Sequence, residues 1–438
     1  MTDPQNPISP QADERERQTP NPERQTPNAK QTDLWTILRI PRFRYVWLGG
    51  AISQLGDVCF LIAVPWLVLQ MTGSGLVLGS LAMAVAIPRT ILLLFGGAVS
   101  DRLPPSLILI VGNLVQAVSV AIVAVLAWNK MLALSELYVI GFCFGVAEAF
   151  CAPALNVLVP DLVPKDKLQA ANSLLQGTAQ ICLLFGAGAA GLLVEKFGTI
   201  PALVIDSISF LFLVAALLLI PIKRHASEAK SGIWSGVLDG VRYVYKNDLL
   251  RSLIVSVACI NFCVSGATQI GFTALAKFRF NSSTDFGVLV MTASLGTLVG
   301  TVVAGVLRID KDLRLMILGA SSIMAVLLLA LGLELPFWSV TIIAALLGVV
   351  AGYTNIYVVS WLQGNINANF RGSVMSALVL GSTGLAPISF AVSGFLLQLG
   401  FQTLFVSAGL ALSMVAIFMA LRSKEWSREA TVALSEER

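Results

Sequence analysis

The chain has 438 residues, and only 12% of them are Asp, Glu, Lys or Arg, whereas a soluble globular domain carries about 25%. Hydrophobic residues make up 56% of the chain and its mean hydropathy is +0.81, so there is too little polar surface to cover a core in water. This composition excludes a soluble protein, and the net charge of +4 gives no argument for a nucleic-acid partner.

Residues 1–33 differ from the rest of the chain. They hold ten charged residues and six of the eighteen prolines but no aromatic residue. Such a composition cannot bury enough apolar surface to offset the entropy lost on ordering, so it predicts a disordered tail. The tail also lacks the apolar core of a signal peptide.

Twelve apolar stretches follow, each long enough to cross the roughly 30 Å of hydrocarbon in a bilayer. They lack the alternation of barrel strands, and only helices or closed barrels satisfy every backbone group in lipid. We therefore predict an all-α membrane protein with twelve transmembrane helices in two six-helix bundles. The predicted spans are 45–69, 76–99, 106–128, 132–156, 169–194, 200–222, 250–275, 286–307, 313–334, 337–361, 372–398 and 401–421.

Basic residues are distributed very unevenly between alternate connectors. Those on the side of the two termini hold 24 Lys and Arg residues, those on the other side hold four, and Arg89 falls within a span. The positive-inside rule then places both termini in the cytoplasm of a multi-pass plasma (inner) membrane protein.

The longest connector divides the chain into two halves. We expect a cytoplasmic tail at 1–33, a bundle at 34–222, a connector at 223–249, a second bundle at 250–422 and a cytoplasmic tail at 423–438. Apolar residues at helical spacing between Ile233 and Tyr245 predict a helix lying at the membrane interface. A short internal repeat, with Gly191 and Gly394 separated by 203 residues, suggests that the halves are related.

The residues of common enzyme and cofactor sites are scarce. The only histidine is His225, and the six cysteines lie in apolar stretches without CxxC spacing. A Walker-type loop is absent as well. We therefore expect no enzyme, no cofactor, no metal site and no disulfide framework.

One connector carries a recognisable motif, Gly97-Ala98-Val99-Ser100-Asp101-Arg102, followed by Leu103 and two prolines. With the twelve spans, this segment resembles the Gly-x-x-x-Asp-Arg motif of the major facilitator superfamily. The resemblance implies a secondary transporter in which Gly97, Asp101 and Arg102 form a gate, with Asp101 capping a helix end. Capping of helix three alone is the structural alternative.

Three further segments resemble the branch that includes macrolide-efflux proteins and enterobactin exporters. They are Pro88-Arg89, Ile205 to Phe210 and Arg371 to Ser376. This resemblance favours export over uptake.

Few ionisable residues fall inside the spans, and each costs about 2.5 to 3.5 kcal/mol to insert. Asp57, Arg89 and Glu148 are each twelve residues from a cytoplasmic boundary, so at about 1.5 Å per residue they lie at a similar depth and form a candidate cluster. Three interpretations stay open. Arg89 neutralises Asp57 and joins two helices, or Glu148 or Asp57 exchanges a proton under the influence of Arg89, or these side chains contact substrate. Asp206 is expected near the outer end of helix six, within reach of water, as a structural hydrogen-bonding group.

The second half has almost no buried charge. Its neutral polar and aromatic residues suit hydrogen bonding or stacking with an amphiphilic molecule, although ordinary helix packing accounts for any single one. The substrate-cavity candidates are Asn261, Gln269, Tyr353, Asn355 and Tyr357.

Together these features predict a monomeric antiporter that exports a small amphiphilic compound, a drug-like molecule or a siderophore, by alternating access. We expect protons to drive it and membrane lipids to surround it. A lipid or lysolipid translocator is the alternative within the fold, and a transport-dead membrane sensor or scaffold is the alternative from another class.

Overall fold

The computed structural model describes residues 34–100, 103–220, 245, 247–306, 313–366 and 371–436. No strand occurs in these ranges. A short entry helix at Leu34–Leu38 precedes twelve helices that are long and apolar enough to cross a membrane. The predicted all-α fold class is therefore confirmed.

We number the twelve helices α1 to α12. They are α1 Pro41–Thr72, α2 Gly75–Ser100, α3 Pro105–Trp128, α4 Leu134–Leu162, α5 Leu168–Phe197, α6 Thr199–Leu218, α7 Asp248–Ala274, α8 Ser283–Val306, α9 Leu313–Leu331, α10 Phe337–Asn365, α11 in two segments at Arg371–Thr383 and Ala386–Gln398, and α12 Phe401–Glu436.

Glycine and proline set several helix ends. Pro41 and Pro105 occupy first-turn positions, where a missing N–H costs nothing. Gly73, with a φ of 62°, ends α1 in the left-handed conformation and donates its N–H to the carbonyl oxygen of Leu69. The turn between α1 and α2 is thereby closed within two residues.

The helices form two six-helix bundles, α1 to α6 and α7 to α12. In the first bundle α1 packs on α6 and α2 on α4, and in the second α8 packs on α10 and α9 on α12. The tightest pair is α8 with α10. A Cβ placed on Gly296 would lie 2.0 Å from the carbonyl oxygen of Ala345, and one on Gly348 would lie 2.1 Å from that of Ala293. The small residues of both helices therefore permit backbone contact.

Because consecutive helices cross in opposite directions, the connectors form two faces. We call the face that holds the connectors at 103–104 and 163–167, and the start of α1, the terminal face. The opposite face holds those at 73–74, 129–133, 198, 281–282, 332–336 and 399–400.

The two halves meet at the opposite face. A Cβ on Gly79 of α2 would lie 2.7 Å from Gly394 Cα of α11, and one on Gly191 of α5 would lie 3.0 Å from Gly287 Cα of α8. Gly191 and Gly394, the glycines of the predicted repeat, thus make equivalent contacts between the halves.

Polar groups reinforce this closure. Glu195, near the end of α5, accepts hydrogen bonds from the backbone N–H of Ser283 at 2.6 Å and from its hydroxyl at 2.7 Å, so its carboxylate caps α8. The Lys277 ammonium lies 4.7 Å from the centre of the Trp66 ring of α1.

The structure differs from the predicted elements in three places. The span predicted at 372–398 is broken at Gly384 and Leu385, just before Pro387, whose ring cannot continue the hydrogen-bond ladder. The last helix continues to Glu436, beyond the predicted end at residue 421, and the final turns of the seventh crossing, Leu275–Phe280, are π-helical. The predicted interfacial helix lies almost wholly outside the described residues.

Candidate functional site

Arg89 and Glu148 form an ion pair in the middle of the first bundle, with 3.1 Å between Arg89 Nη1 and Glu148 Oε1. Their helices approach closely one turn away, where a Cβ on Gly145 would lie 2.1 Å from the carbonyl oxygen of Val85. The absent side chain at Gly145 lets α4 lie against α2, and this places the two charged side chains within bonding distance.

The pair is open to its surroundings on one side. The side chain of Arg89 is 55% exposed and that of Glu148 is 31% exposed. Charged groups at this depth are stable when they face a hydrated cavity and not lipid. Both charged side chains are therefore partly accessible instead of sealed between helices.

Asp57 of α1 belongs to the same neighbourhood but is not the ionic partner of Arg89. Its carboxyl group lies within electrostatic range of Glu148, and the Arg89 guanidinium bonds Glu148. The interpretation in which Arg89 neutralises Asp57 is therefore wrong for this structure. The sequence placed the three residues at one depth, but the partner of Arg89 depends on the contact between α2 and α4.

The expectation that Asp206 of α6 lies within reach of water is wrong. Its side chain is 0% exposed, and neither carboxyl oxygen has a hydrogen-bond partner within the described part of the chain. The residue packs against α1, where a Cβ on Gly56 would lie 2.8 Å from Asp206 Oδ1 and 2.0 Å from Ser209 Oγ. Asp57 follows Gly56 on α1, and its carboxyl group lies within electrostatic range of that of Asp206.

The predicted gate motif is described only in part. Gly97 lies in the last turn of α2, whereas Asp101 and Arg102 fall outside the described residues. The role of this motif as a gate therefore stays a prediction.

The substrate-cavity candidates lie on two helices of the second bundle. Asn261 and Gln269 are partly buried on α7, and Asn261 Nδ2 donates to the carbonyl oxygen of Val257 at 2.9 Å within its own helix. Tyr353 and Tyr357 are one turn apart on α10, with ring centres 6.3 Å apart and ring planes 17° from parallel. Asn355 is exposed on the same helix. The stacked tyrosines provide an aromatic surface, and the amides provide hydrogen-bonding groups.

The family model described as the Major Facilitator Superfamily matches residues 46–388, which is most of the chain. The chain belongs to the major facilitator superfamily. The twelve helices and the meeting of the two halves at α2–α11 and α5–α8 agree with this membership, and the chain is a transporter and not an enzyme.

The curated relatives of this major facilitator protein include efflux proteins. The chain is 25% identical over 383 residues to the multidrug efflux pump Tap of Mycolicibacterium fortuitum, covering 83% of this chain and 92% of the relative. It is 21% identical over 387 residues to macrolide efflux protein A of Streptococcus pyogenes, covering 86% and 94%.

Solved structures share the fold. The nucleoside transporter NupG superposes with a TM-score of 0.72 at 12% identity, covering 87% of this chain and 99% of that chain. A bacterial homologue of the iron transporter ferroportin in an inward-facing state superposes with a TM-score of 0.69 at 20% identity, covering 87% and 98%. At these identities the likeness establishes the major facilitator fold alone.

Two features of the site escaped the sequence analysis. The spacing of Gly141 and Gly145 in α4 is typical of close helix approach. In the structure, a Cβ added to Gly141 would lie 3.1 Å from Val85 Cγ2. The burial of Asp206 had no local signal, because its position along α6 gives its depth but not the direction in which its side chain faces.

Proposed function

We propose that this protein exports a small amphiphilic compound, a drug-like molecule or a siderophore, across the plasma membrane by proton-coupled alternating access. The observation that carries the proposal is the group formed by Arg89, Glu148 and Asp57 in the middle of the first bundle. A carboxyl group beside an arginine and a second carboxyl group is suited to gaining and losing a proton as its surroundings change.

The energetic requirement is modest. Moving one proton across a potential of 100 mV provides about 2.3 kcal/mol. Glu148 is suited to the exchanging role because its side chain is partly exposed and its ionic partner is also accessible. Substrate entry into the cavity then competes with, or displaces, the proton held near Arg89.

The direction and the chemical class of the substrate are supported by the relatives whose names describe multidrug and macrolide efflux. The stacked rings of Tyr353 and Tyr357 suit contact with an apolar or aromatic part of a substrate, and Asn261, Gln269 and Asn355 suit hydrogen bonding. We propose that these residues line the substrate cavity between the bundles.

The described conformation is one of the two access states. The glycine contacts and the Glu195 cap close the opposite face, whereas Gly177 and Gly305, toward the terminal-face ends of α5 and α8, have open space around an added Cβ. With both termini in the cytoplasm, this conformation is closed to the outside. In the other state, Asp101 and Arg102 would gate the terminal face of a monomer whose bundles span 34–222 and 250–422.

Transport into proteoliposomes tests this function. Purified protein is reconstituted, a pH gradient is imposed, and accumulation of ethidium and of a radiolabelled macrolide is measured. We expect gradient-dependent accumulation by the wild type and at least a tenfold loss in Glu148→Gln, because the amide cannot exchange a proton. Glu334→Gln is the matched control, since Glu334 is exposed on the opposite face and far from the site in the fold.

Other outcomes separate the alternatives. Wild-type accumulation in Glu148→Gln would contradict coupling through this residue. Movement of a fluorescent lysolipid in place of both probes would support lipid translocation. If siderophore release and drug sensitivity of a deletion strain do not change on restoring the wild-type gene, the sensor or scaffold is favoured.

A further inference from the structure

The cluster in the first bundle contains an excess of acids. Asp206 lies within electrostatic range of Asp57, Asp57 lies within electrostatic range of Glu148, and an ion pair joins Glu148 to Arg89. If every group were ionised, three negative charges would face one positive charge within the span of four helices. A group with this excess of negative charge at membrane depth holds at least one proton.

Burial identifies which acid holds it. Arg89 bonds Glu148, so that carboxyl group has a cation, and Asp57 is only partly buried. Asp206 has neither advantage, because it is 0% exposed and both of its oxygens lack a hydrogen-bond partner within the described residues. A buried carboxyl group without a partner is far more stable neutral than ionised.

The helices packed around Asp206 supply no compensating cation. On α1 the ionisable groups near it are Asp57 and the thiol of Cys59. The sequence of α3 contains no ionisable residue, and α5 contributes Cys182 and, at its end on the opposite face, Glu195 and Lys196. Nearby charge therefore reinforces the preference of Asp206 for its neutral form.

The contact with α1 gives the proton a route. Gly56 leaves the space that Asp206 Oδ1 occupies, and the next residue along α1 is Asp57. We propose that Asp206 is a second proton-binding site of this transporter, which holds a proton in the closed-outside state and exchanges it with Asp57 when α1 and α6 shift. The step transfers one proton between two carboxyl groups and needs no other reactant.

This inference rests on the proposed proton-coupled transport, but its first test does not need a substrate. Infrared spectroscopy of the purified protein detects the C=O stretch of protonated carboxyl groups. We expect a band at neutral pH that is absent in Asp206→Asn and retained in Asp57→Asn and Ser207→Ala. Ser207 is the matched control because it is buried one residue away on α6 and carries no titratable group. Equal bands in the wild type and Asp206→Asn would overturn the proposal.

Isotope labelling of the wild type keeps the proposal testable even if Asp206→Asn does not fold. Wild-type protein grown with carboxyl-labelled aspartate should show the band at a lower frequency, and labelling of glutamate should leave it in place. A band that follows glutamate would overturn the assignment to Asp206.

Exchange is tested separately. We expect the band to disappear reversibly at high pH, and we expect Asp206→Asn to keep downhill ethidium movement within about twofold while losing gradient-driven accumulation at least tenfold. A band that never titrates, or accumulation equal to that of the wild type in Asp206→Asn, would show a permanently neutral structural residue and overturn the exchange. If the wild type moves neither probe, the proposed export function fails while the infrared titration still decides the proton site.

Discussion

At the scale of single residues, the first bundle depends on positions where a side chain is missing. Gly145 brings α4 onto α2 and so positions the Arg89–Glu148 pair, and Gly56 provides the space beside Asp206. Neither glycine needs an unusual backbone conformation, because both lie within helices. Their importance comes from the atoms that face them across the helix contact.

Gly56→Ala is expected to destabilise the protein. The added Cβ would lie 2.0 Å from Ser209 Oγ and 2.8 Å from Asp206 Oδ1, so α1 and α6 must separate, and overpacking of this kind costs about 1 to 3 kcal/mol. The midpoint of thermal unfolding in detergent, followed by fluorescence, should fall.

Gly50→Ala is the matched control for this substitution. Gly50 lies on the same helix, and an added Cβ there meets nothing within 4 Å. Its unfolding midpoint should equal or exceed that of the wild type, since alanine favours a helix over glycine. Equal midpoints for the two variants would contradict the packing argument.

At the scale of elements, α7 receives a side chain from α11 against its backbone, a contact that the apolar pattern does not reveal. The Ser389 hydroxyl of α11 accepts a hydrogen bond from the Gly266 N–H at 2.9 Å and donates to the carbonyl oxygen of Phe262. Gly266 and Phe262 are four residues apart, so the hydroxyl stands between the donor and acceptor of one helical hydrogen bond. Insertion of a side chain into the ladder is an established cause of helix bending.

Ser389→Ala should restore the direct helical bond between Gly266 and Phe262. We expect slower amide hydrogen exchange at Gly266, since its N–H would then donate to a backbone carbonyl within α7. We also expect slower transport if α7 bends during the change of access state. The measurement is exchange mass spectrometry on a peptide that spans residues 260–270.

Ser393→Ala serves as the control for this variant. Ser393 also faces Gly266, where a Cβ would lie 2.1 Å from its Oγ, but it is not inserted between Phe262 and Gly266. Exchange at Gly266 should stay at the wild-type rate in Ser393→Ala. Faster exchange in Ser389→Ala would contradict the inserted-hydroxyl interpretation.

At the scale of the whole molecule, the two halves meet closely at the opposite face, and the proposed alternating access requires this contact to open. The two glycine contacts are equivalent in the two halves, with Gly191 against Gly287 and Gly394 against Gly79. Backbone contact of this kind depends on shape, so a single bulkier residue is enough to weaken it.

Gly191→Val should shift the protein toward the state that is open at the opposite face. The added Cβ would lie 3.0 Å from Gly287 Cα and 2.7 Å from the carbonyl oxygen of Ser283, so α5 must move away from α8. Accessibility is measured on Asn261→Cys, in a background without the six native cysteines, with a membrane-impermeant thiol reagent applied from the opposite face. We expect labelling to increase severalfold.

Gly177→Val is the matched control, because it makes the same change on the same helix at a site with nothing within 4 Å of an added Cβ. Labelling of Asn261→Cys should then remain at its original level. A similar increase in both variants would indicate general loosening of the bundle and contradict a specific closure at Gly191.

The amino-acid sequence alone is enough to predict the fold class of this protein and the number of its crossings. Apolar length fixes the number of crossings, because each backbone must satisfy its hydrogen bonds across the same thickness of hydrocarbon, and the twelve predicted spans agree with the twelve observed helices to within a few residues at most ends. The same counting predicts a common depth for Asp57, Arg89 and Glu148, since helical rise is constant.

Which side chains meet depends on how the helices pack and could not be read from the sequence. Arg89 pairs with Glu148 and not with Asp57, and Asp206 is fully buried instead of near water. The rise per residue gives the depth of a side chain, but it gives neither the rotation of its helix nor the helix that lies beside it. Both depend on how small residues such as Gly56 and Gly145 pack against other helices. Partner choice and burial are therefore properties of the assembled bundle.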